Sequence, residues 1–94
     1  MAQMSVKKIS DAEKKSLGID TWPTWSKELS TFPWSYSDKE TAYILEGNVT
    51  VTSNTGESIS FGPGDLVTFE AGLDCTWDVK SPLRKILSIW LIHD

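Results

Sequence analysis

The chain has 94 residues, a net charge of −4, five tryptophans and one cysteine. This length supports one domain over residues 1–94, and the acidic charge argues against nucleic acid or an anionic membrane as a partner, because both require a basic surface. One cysteine rules out a disulfide framework, and the lack of a long apolar run or a secretory signal leads us to expect a cytoplasmic protein, or an organellar one if a transit peptide has been removed.

The N-terminal region is predicted to contain a tail and one short helix. Residues 1–9 are polar enough to predict a tail. Ser10 followed by Glu13 is typical of a capping box, in which each residue accepts a hydrogen bond from the backbone of the other. Gly18 is a suitable residue for the helix C-terminus. These residues predict a helix over about 11–16.

From about residue 20 to residue 92 the sequence predicts strands only. Short apolar runs alternate with turn residues, and this pattern is typical of an all-β sandwich or barrel. Asn54-Thr55-Gly56 is a strong hairpin signal, and the segment 62–65 is a second tight turn. The predicted strands are about 25–32, 34–37, 40–46, 48–53, 57–61, 66–70, 75–80 and 84–92.

Strand alternation assigns side chains to faces, because successive residues of a strand point in opposite directions. Glu40 shares a face with Ala42 and Ile44, so its carboxyl group is predicted to point inward. Both faces of the last strand are largely apolar, so alternation does not decide whether Arg84 or Lys85 points into the barrel. One face of that strand is expected to fill the core and the other to meet a second subunit.

The segments 34–47 and 62–75 carry glycines, aromatic residues, an acid and a cysteine at spacings that resemble the paired motifs of cupin barrels. Glu40 and Gly47 have the spacing of the second half of the first motif, and Cys75 occupies the histidine position of the second motif. Counting back from Glu40 places Trp34 and Tyr36 where the two histidines of the first motif would stand. The remaining matches to the second motif are Gly64 and Gly72.

The wider sequence resembles a group of small single-domain cupins that includes ureidoglycine aminohydrolase and the ethanolamine-utilisation cupin. The resemblance implies a jelly-roll barrel, also called a double-stranded β-helix, over about 20–92 with one short N-terminal helix. It covers strings such as Trp34-x-Tyr36, the segment 40–47 and Cys75-x-Trp77. The named enzyme of the group is a manganese hydrolase with histidine and carboxylate ligands, of which only the carboxylate of Glu40 remains here.

No metal cofactor is therefore expected, since a zinc-type site needs at least three protein ligands. The alternative is a divalent metal held by Glu40 and Cys75 with Tyr36, because the single histidine, His93, lies outside both motifs. For Cys75 three roles remain open: a buried core residue, a polar contact to a ligand, or a nucleophile. The last would require a nearby cation to stabilise the thiolate.

Three functions from different classes fit these residues. The first is a metal-free binding protein for a small polar metabolite, such as an amine held at Glu40 between aromatic rings. The second is a carbon–nitrogen hydrolase or lyase whose catalytic residues are Glu40, as acid/base, and Cys75, as metal ligand or polar contact. The third is a structural or partner-binding protein with a filled barrel. The ligand-binding residues proposed for the first are Trp34, Tyr36, Glu40, Cys75 and Trp77.

The other tryptophans, Trp22, Trp25 and Trp90, are predicted to be core or subunit contacts. A homodimer is expected, because a barrel of this kind has edge strands to cover and dimers are the commonest oligomers.

Overall fold

A computed structural model describes residues 4–90, without the side chains of residues 20 and 88–90. His93 lies outside the described residues, as does the side chain of Trp90, so the prediction that Trp90 is a core or subunit contact stays a prediction. Among residues 4–90, no helix has the length and apolar character needed to cross a membrane. The elements of this part of the chain are β1 (Met4–Lys8), α1 (Asp11–Leu17), a 3₁₀ turn (Ile19–Thr21), β2 (Thr24–Lys27), β3 (Ser30–Ser35), β4 (Lys39–Glu46), β5 (Val49–Ser53), β6 (Ser58–Phe61), β7 (Asp65–Phe69), β8 (Asp74–Val79) and β9 (Leu83–Trp90).

The helix α1 has the predicted caps. The Glu13 backbone N–H donates to Ser10 Oγ at 3.2 Å, and the Ser10 N–H donates to Glu13 Oε1 at 3.3 Å. Gly18 ends the helix in the left-handed conformation with φ of 67°. Both signals of the capping prediction are confirmed, and the helix ends one residue later than predicted.

The strands form two antiparallel sheets. One sheet has five strands in the order β1-β7-β4-β9-β2, and the other has four in the order β3-β8-β5-β6. Neighbouring strands are mostly distant in sequence, as in a jelly roll. The all-β prediction with two sheets and one short helix is confirmed.

The predicted polar tail is wrong for residues 4–8. They form β1, which pairs with β7 in a register that places Met4 opposite Phe69 and Val6 opposite Val67. Met4 is buried, whereas Lys7 and Lys8 are exposed. Met4 and Val6 have the two-residue spacing of side chains on one face of a strand. Because the other residues of this edge strand are polar and exposed, the sequence did not indicate a strand here.

The predicted strand break at Pro33 is also misplaced. Pro33 lies within β3, opposite Thr76, and the break falls at residues 28–29. Proline has no N–H to donate to a neighbouring strand. It is tolerated here because β3 is at the edge of its sheet and has one neighbour in the described chain.

The core lies between the two sheets and is rich in aromatic rings. The Tyr36 and Phe69 rings stack at 4.9 Å, and the Phe69 ring lies 5.4 Å from that of Trp77. A smaller apolar cluster lies on the outer face of the five-stranded sheet, where Ile19 covers Tyr43 and Trp22 packs against them. Trp22, predicted to be a core or subunit contact, is a partly buried contact of this smaller cluster.

Candidate functional site

A cavity of about 210 Å³ lies between the two sheets, with walls that are mostly aromatic. Its lining side chains come from β2, β3, β4, β8 and β9 and from the loop after β3. They are Trp25, Phe32, Trp34, Tyr36, Glu40, Trp77, Lys85 and Leu87. A larger depression of about 530 Å³ around residues 26–30 is shallower, and its lining includes the exposed Arg84 and Glu46. The aromatic cavity, which is more enclosed but still open at one side, is therefore the better candidate site.

An ion pair between Glu40 and Lys85 lies at the inner side of this cavity. The Lys85 Nζ donates to Glu40 Oε2 at 2.8 Å, and the side chains of Lys85 and Glu40 are only 6% and 9% exposed. The strands β4 and β9 are neighbours, with Lys85 opposite Ile44. The long lysine side chain therefore reaches along the sheet to Glu40.

The alternation of β9 places Arg84 on the opposite face. The Arg84 Nε lies 3.5 Å from Glu46 Oε2, and both side chains are more than half exposed. The structure thus resolves the choice between the two cations that the sequence left open. Lys85 is the cation inside the barrel.

The ammonium group of Lys85 also contacts the rings of two tryptophans. Its Nζ lies 4.8 Å from the Trp25 ring centroid and 4.5 Å from that of Trp77. Both distances are within the range of a cation–π interaction. Burial lowers the pKa of Lys85, and the negative charge and hydrogen bond of Glu40 oppose that shift. The amine is therefore easier to deprotonate than an exposed lysine.

The other rings form flat walls. Phe32 is stacked on Trp77, with centroids 6.1 Å apart and an angle of 12° between the rings. Trp34 meets the edge of Tyr36 at 6.4 Å, and it is 52% exposed. Trp34 therefore stands at the mouth of the cavity, whereas Trp77 closes its inner side.

Cys75 is close to this site but is not among the residues that line the cavity. It is buried, and its thiol donates a weak hydrogen bond to the Trp34 backbone oxygen at 3.5 Å. Burial raises the pKa of Cys75, and the negative charges of Asp74 and Glu40 add to that effect. A thiol with a raised pKa is a poor nucleophile at neutral pH. This environment favours the structural role among the three left open by the sequence.

The Trp77 indole N–H is buried beside Cys75 and Tyr36. It opposes the rise in the pKa of both groups, yet it makes no hydrogen bond of normal geometry within the described chain. Burial is the larger influence on Tyr36, and together with the charge of Glu40 it raises the pKa of this phenol far above its usual range. The Tyr36 hydroxyl is therefore a neutral group at any physiological pH.

The donor atoms around Glu40 do not fit a metal ion. Within residues 4–90, His, Cys, Asp and Glu side chains form no group of three that could hold one. One oxygen of Glu40 already accepts from the Lys85 ammonium, whose charge repels a cation. Tyr36 keeps its proton and Cys75 has a raised pKa, so neither is a ready anionic ligand. Metal occupancy itself stays a prediction.

The structure brings four of the five predicted ligand-binding residues around one cavity: Trp34, Tyr36, Glu40 and Trp77. Their binding roles stay predictions. Trp25, predicted to be a core or subunit contact, instead lines the cavity with Phe32, Leu87 and Lys85, which the sequence did not select as ligand-binding residues. The two-residue spacing of Phe32, Trp34 and Tyr36 indicates that they share a face, and this could have identified Phe32 as a cavity residue. No pattern in the sequence indicated that β2 pairs with β9, the pairing that brings Trp25 opposite Lys85.

The comparisons with known proteins agree with this architecture. The sequence profile of the EutQ-like cupin domain family matches residues 14–86. A DUF861-family protein from Thermotoga maritima has a similar structure, with 42% identity, a TM-score of 0.91, and coverage of 93% of this chain and 99% of that chain. The Clostridium difficile EutQ protein is 18% identical, with a TM-score of 0.67, over 93% of this chain and 67% of that chain.

A putative ethanolamine utilization protein Q from Salmonella typhimurium is likewise 18% identical, with a TM-score of 0.65, over 93% of this chain and 68% of that chain. At this identity both Q proteins show a shared fold alone. A comparison with curated proteins finds no match. The profile match and the Thermotoga relative carry the assignment: the chain belongs to the EutQ-like cupin domain family and has the cupin fold predicted from its two motifs.

Proposed function

We propose that this protein binds a small polar metabolite in the barrel cavity without a metal ion. The observation that carries the proposal is the buried Glu40–Lys85 ion pair beside an open, aromatic-walled space. Burying two charges is costly, and a well-packed apolar pair of similar volume is often at least as stable. Such a pair at the wall of a cavity is better explained by a ligand than by folding.

The geometry indicates which ligand groups fit. One oxygen of Glu40 is already occupied by Lys85, so an amine ligand would compete with the lysine. The ammonium has three N–H donors, and Glu40 uses one of them. The others favour a ligand with a carbonyl or carboxylate oxygen. A cavity of about 210 Å³ is smaller than the ~300–1,000 Å³ typical of drug-sized ligands, so the ligand is a small metabolite.

The test is NMR of the tryptophan indole N–H signals during titration with small carboxylates, amides, carbonyl compounds and amines. We expect at least one class to shift the signals of Trp25 and Trp77, and Leu87→Trp, which fills the cavity, to abolish the shift. Leu29→Trp, at a position 61% exposed, is the matched control. Shifts that persist in the filled variant, or signals unmoved by every class, would overturn the proposal.

The hydrolase or lyase related to ureidoglycine aminohydrolase stays a prediction, in which Glu40 acts as acid/base. Metal analysis of protein purified without chelator separates the two functions: about one equivalent of a transition metal would favour the enzyme. A filled barrel, which the structural alternative requires, does not agree with the cavity beside Lys85. The homodimer likewise stays a prediction, and sedimentation analysis would measure it.

A further inference from the structure

The Lys85 side chain is a primary amine enclosed by the cavity, and its surroundings differ from those of a lysine in a surface ion pair. A carboxylate lies 2.8 Å from its nitrogen, and two indole rings lie within 5 Å of it. The same amine borders a space large enough for a small organic molecule. A nucleophile, a proton acceptor and room for an electrophile therefore meet at one place.

We propose that Lys85 forms an imine with a small aldehyde or ketone bound in this cavity, and that Glu40 accepts and returns the proton that the reaction requires. This inference rests on the proposed function, since it needs a ligand in the same cavity. It goes further by naming the chemical class of the ligand and a covalent step.

The step balances with the groups present. Glu40 takes a proton from the Lys85 ammonium, and the freed nitrogen lone pair attacks the carbonyl carbon. The C=O π electrons move to oxygen, which receives a proton from the nitrogen and becomes the hydroxyl of a carbinolamine. Protonated Glu40 then donates to this hydroxyl, the C–O bond breaks and water leaves. The ammonium and the carbonyl compound give an iminium ion and one water, with no change in oxidation state.

The surroundings of Lys85 favour each stage. Glu40 is within the distance required for direct proton transfer. Burial lowers the pKa of Lys85, which increases the fraction of neutral amine. The Trp25 and Trp77 rings that stabilise the ammonium offer the same interaction to an iminium ion. The apolar walls also limit the water that would hydrolyse the product.

Lys27 is an internal control in the same molecule. Its Nζ lies 5.1 Å from the Phe32 ring centroid, so it too has an aromatic neighbour. The residue is exposed, however, and is not among those that line the cavity. A difference in reactivity between the two lysines therefore reports the cavity and the carboxylate rather than the aromatic contact.

The experiment incubates the full chain with propanal or pyruvate and reduces any imine with sodium cyanoborohydride. Intact mass and peptide mapping then identify the alkylated lysine. We expect one adduct at Lys85, formed at least about tenfold faster than at Lys27, because a positioned acid–base group such as Glu40 typically contributes about 100-fold or more. Glu40→Gln should slow trapping by about 100-fold, the lower limit for loss of an acid–base group. Lys85→Arg keeps the charge and should give no adduct at position 85.

The tryptophan NMR signals separate the two proposals. If a carbonyl probe shifts the cavity indole signals but leaves Lys85 unmodified after reduction, the imine is refuted and ligand binding stands. If the probes neither shift the signals nor modify Lys85, the imine is refuted, and carboxylates, amides and amines decide the binding proposal. Equal labelling of Lys85 and Lys27 also refutes the imine, and this comparison uses the unaltered chain, so it holds even if a variant fails to fold.

Discussion

Lys85→Met leaves the Glu40 carboxylate buried without its counter-charge, and the expected loss of stability follows from the geometry of the pair. The two groups are 2.8 Å apart with side chains 6% and 9% exposed. Removing one partner of a buried ion pair costs about 3–5 kcal/mol. The cavity allows some water to reach the pair, so we expect the lower end, about 3 kcal/mol. A domain of 94 residues has a total stability of about 5–14 kcal/mol, so the variant should still fold.

Two further variants test whether the loss comes from the pair itself. Glu40→Leu should cost less than Lys85→Met, because burial already lowers the pKa of Lys85 and the amine can become neutral. The double variant Glu40→Leu/Lys85→Met contains no buried charge at these positions. It should lie within about 1 kcal/mol of the parent or exceed it. The control is Arg84→Met, which breaks an exposed pair and should cost at most about 1 kcal/mol.

The assay is urea denaturation followed by tryptophan fluorescence, with circular dichroism as a second probe because Trp25 and Trp77 lie beside the mutation. A loss of about 3 kcal/mol corresponds to a midpoint lower by about 1–3 M urea for a protein of this size. The reasoning would be refuted if Lys85→Met cost no more than Arg84→Met. It would equally be refuted if the double variant lost the sum of the two single losses.

Three other predictions concern the turns and the buried titratable groups. Gly47→Ala should destabilise the protein more than Gly56→Ala in urea titrations. Both glycines have positive φ, which costs a non-glycine residue about 1–2 kcal/mol. A Cβ at Gly47 would also lie 2.6 Å from the Pro82 carbonyl oxygen, whereas nothing lies within 4 Å of a Cβ at Gly56. Equal losses would contradict this close approach. Burial raises the pKa of Tyr36 above its ordinary value of 10.0, so the unfolded chain releases this proton first and stability should fall by about 1.4 kcal/mol per pH unit above pH 10. Urea denaturation between pH 9 and about 11 should show that the free energy of unfolding falls less steeply with pH in Tyr36→Phe than in the parent. Equal slopes in the two proteins would argue against the buried phenol as the cause of the fall. Native Cys75 should react with a thiol reagent more slowly than the same thiol in the unfolded chain, because it is buried and its pKa is raised. Equal reaction rates of the native and unfolded chains, measured by absorbance, would instead favour a nucleophilic role.

The two-sheet fold could be predicted because its signals are local. The capping box of Ser10 and Glu13, the turn at 54–56 and the alternation around Glu40 each depend on residues a few positions apart. The cupin motif then supplied the inward position of Glu40. These features require no knowledge of which strands pair.

The composition of the site could not be predicted in full because it depends on strand pairing. Arg84 and Lys85 lie on opposite faces of a strand whose two faces are both apolar. Their assignment follows from the register with β4 and from an irregularity between Ile44 and Glu46. Similarly, Trp25 reaches Lys85 only because β2 pairs with β9, and the two strands are about 60 positions apart in the chain.

The strands β2 and β3 each lie at the edge of a different sheet, and both carry rings of the cavity wall, Trp25 on one and Phe32 and Trp34 on the other. In the described chain, each is hydrogen-bonded to one neighbouring strand, so local opening there breaks fewer bonds than opening of a central strand. Since these two edge strands carry rings of the cavity wall, we expect a solute to enter the cavity where β2 and β3 open locally. The rate at which a ligand reaches the buried amine should therefore follow the amide hydrogen-exchange rates of these two strands.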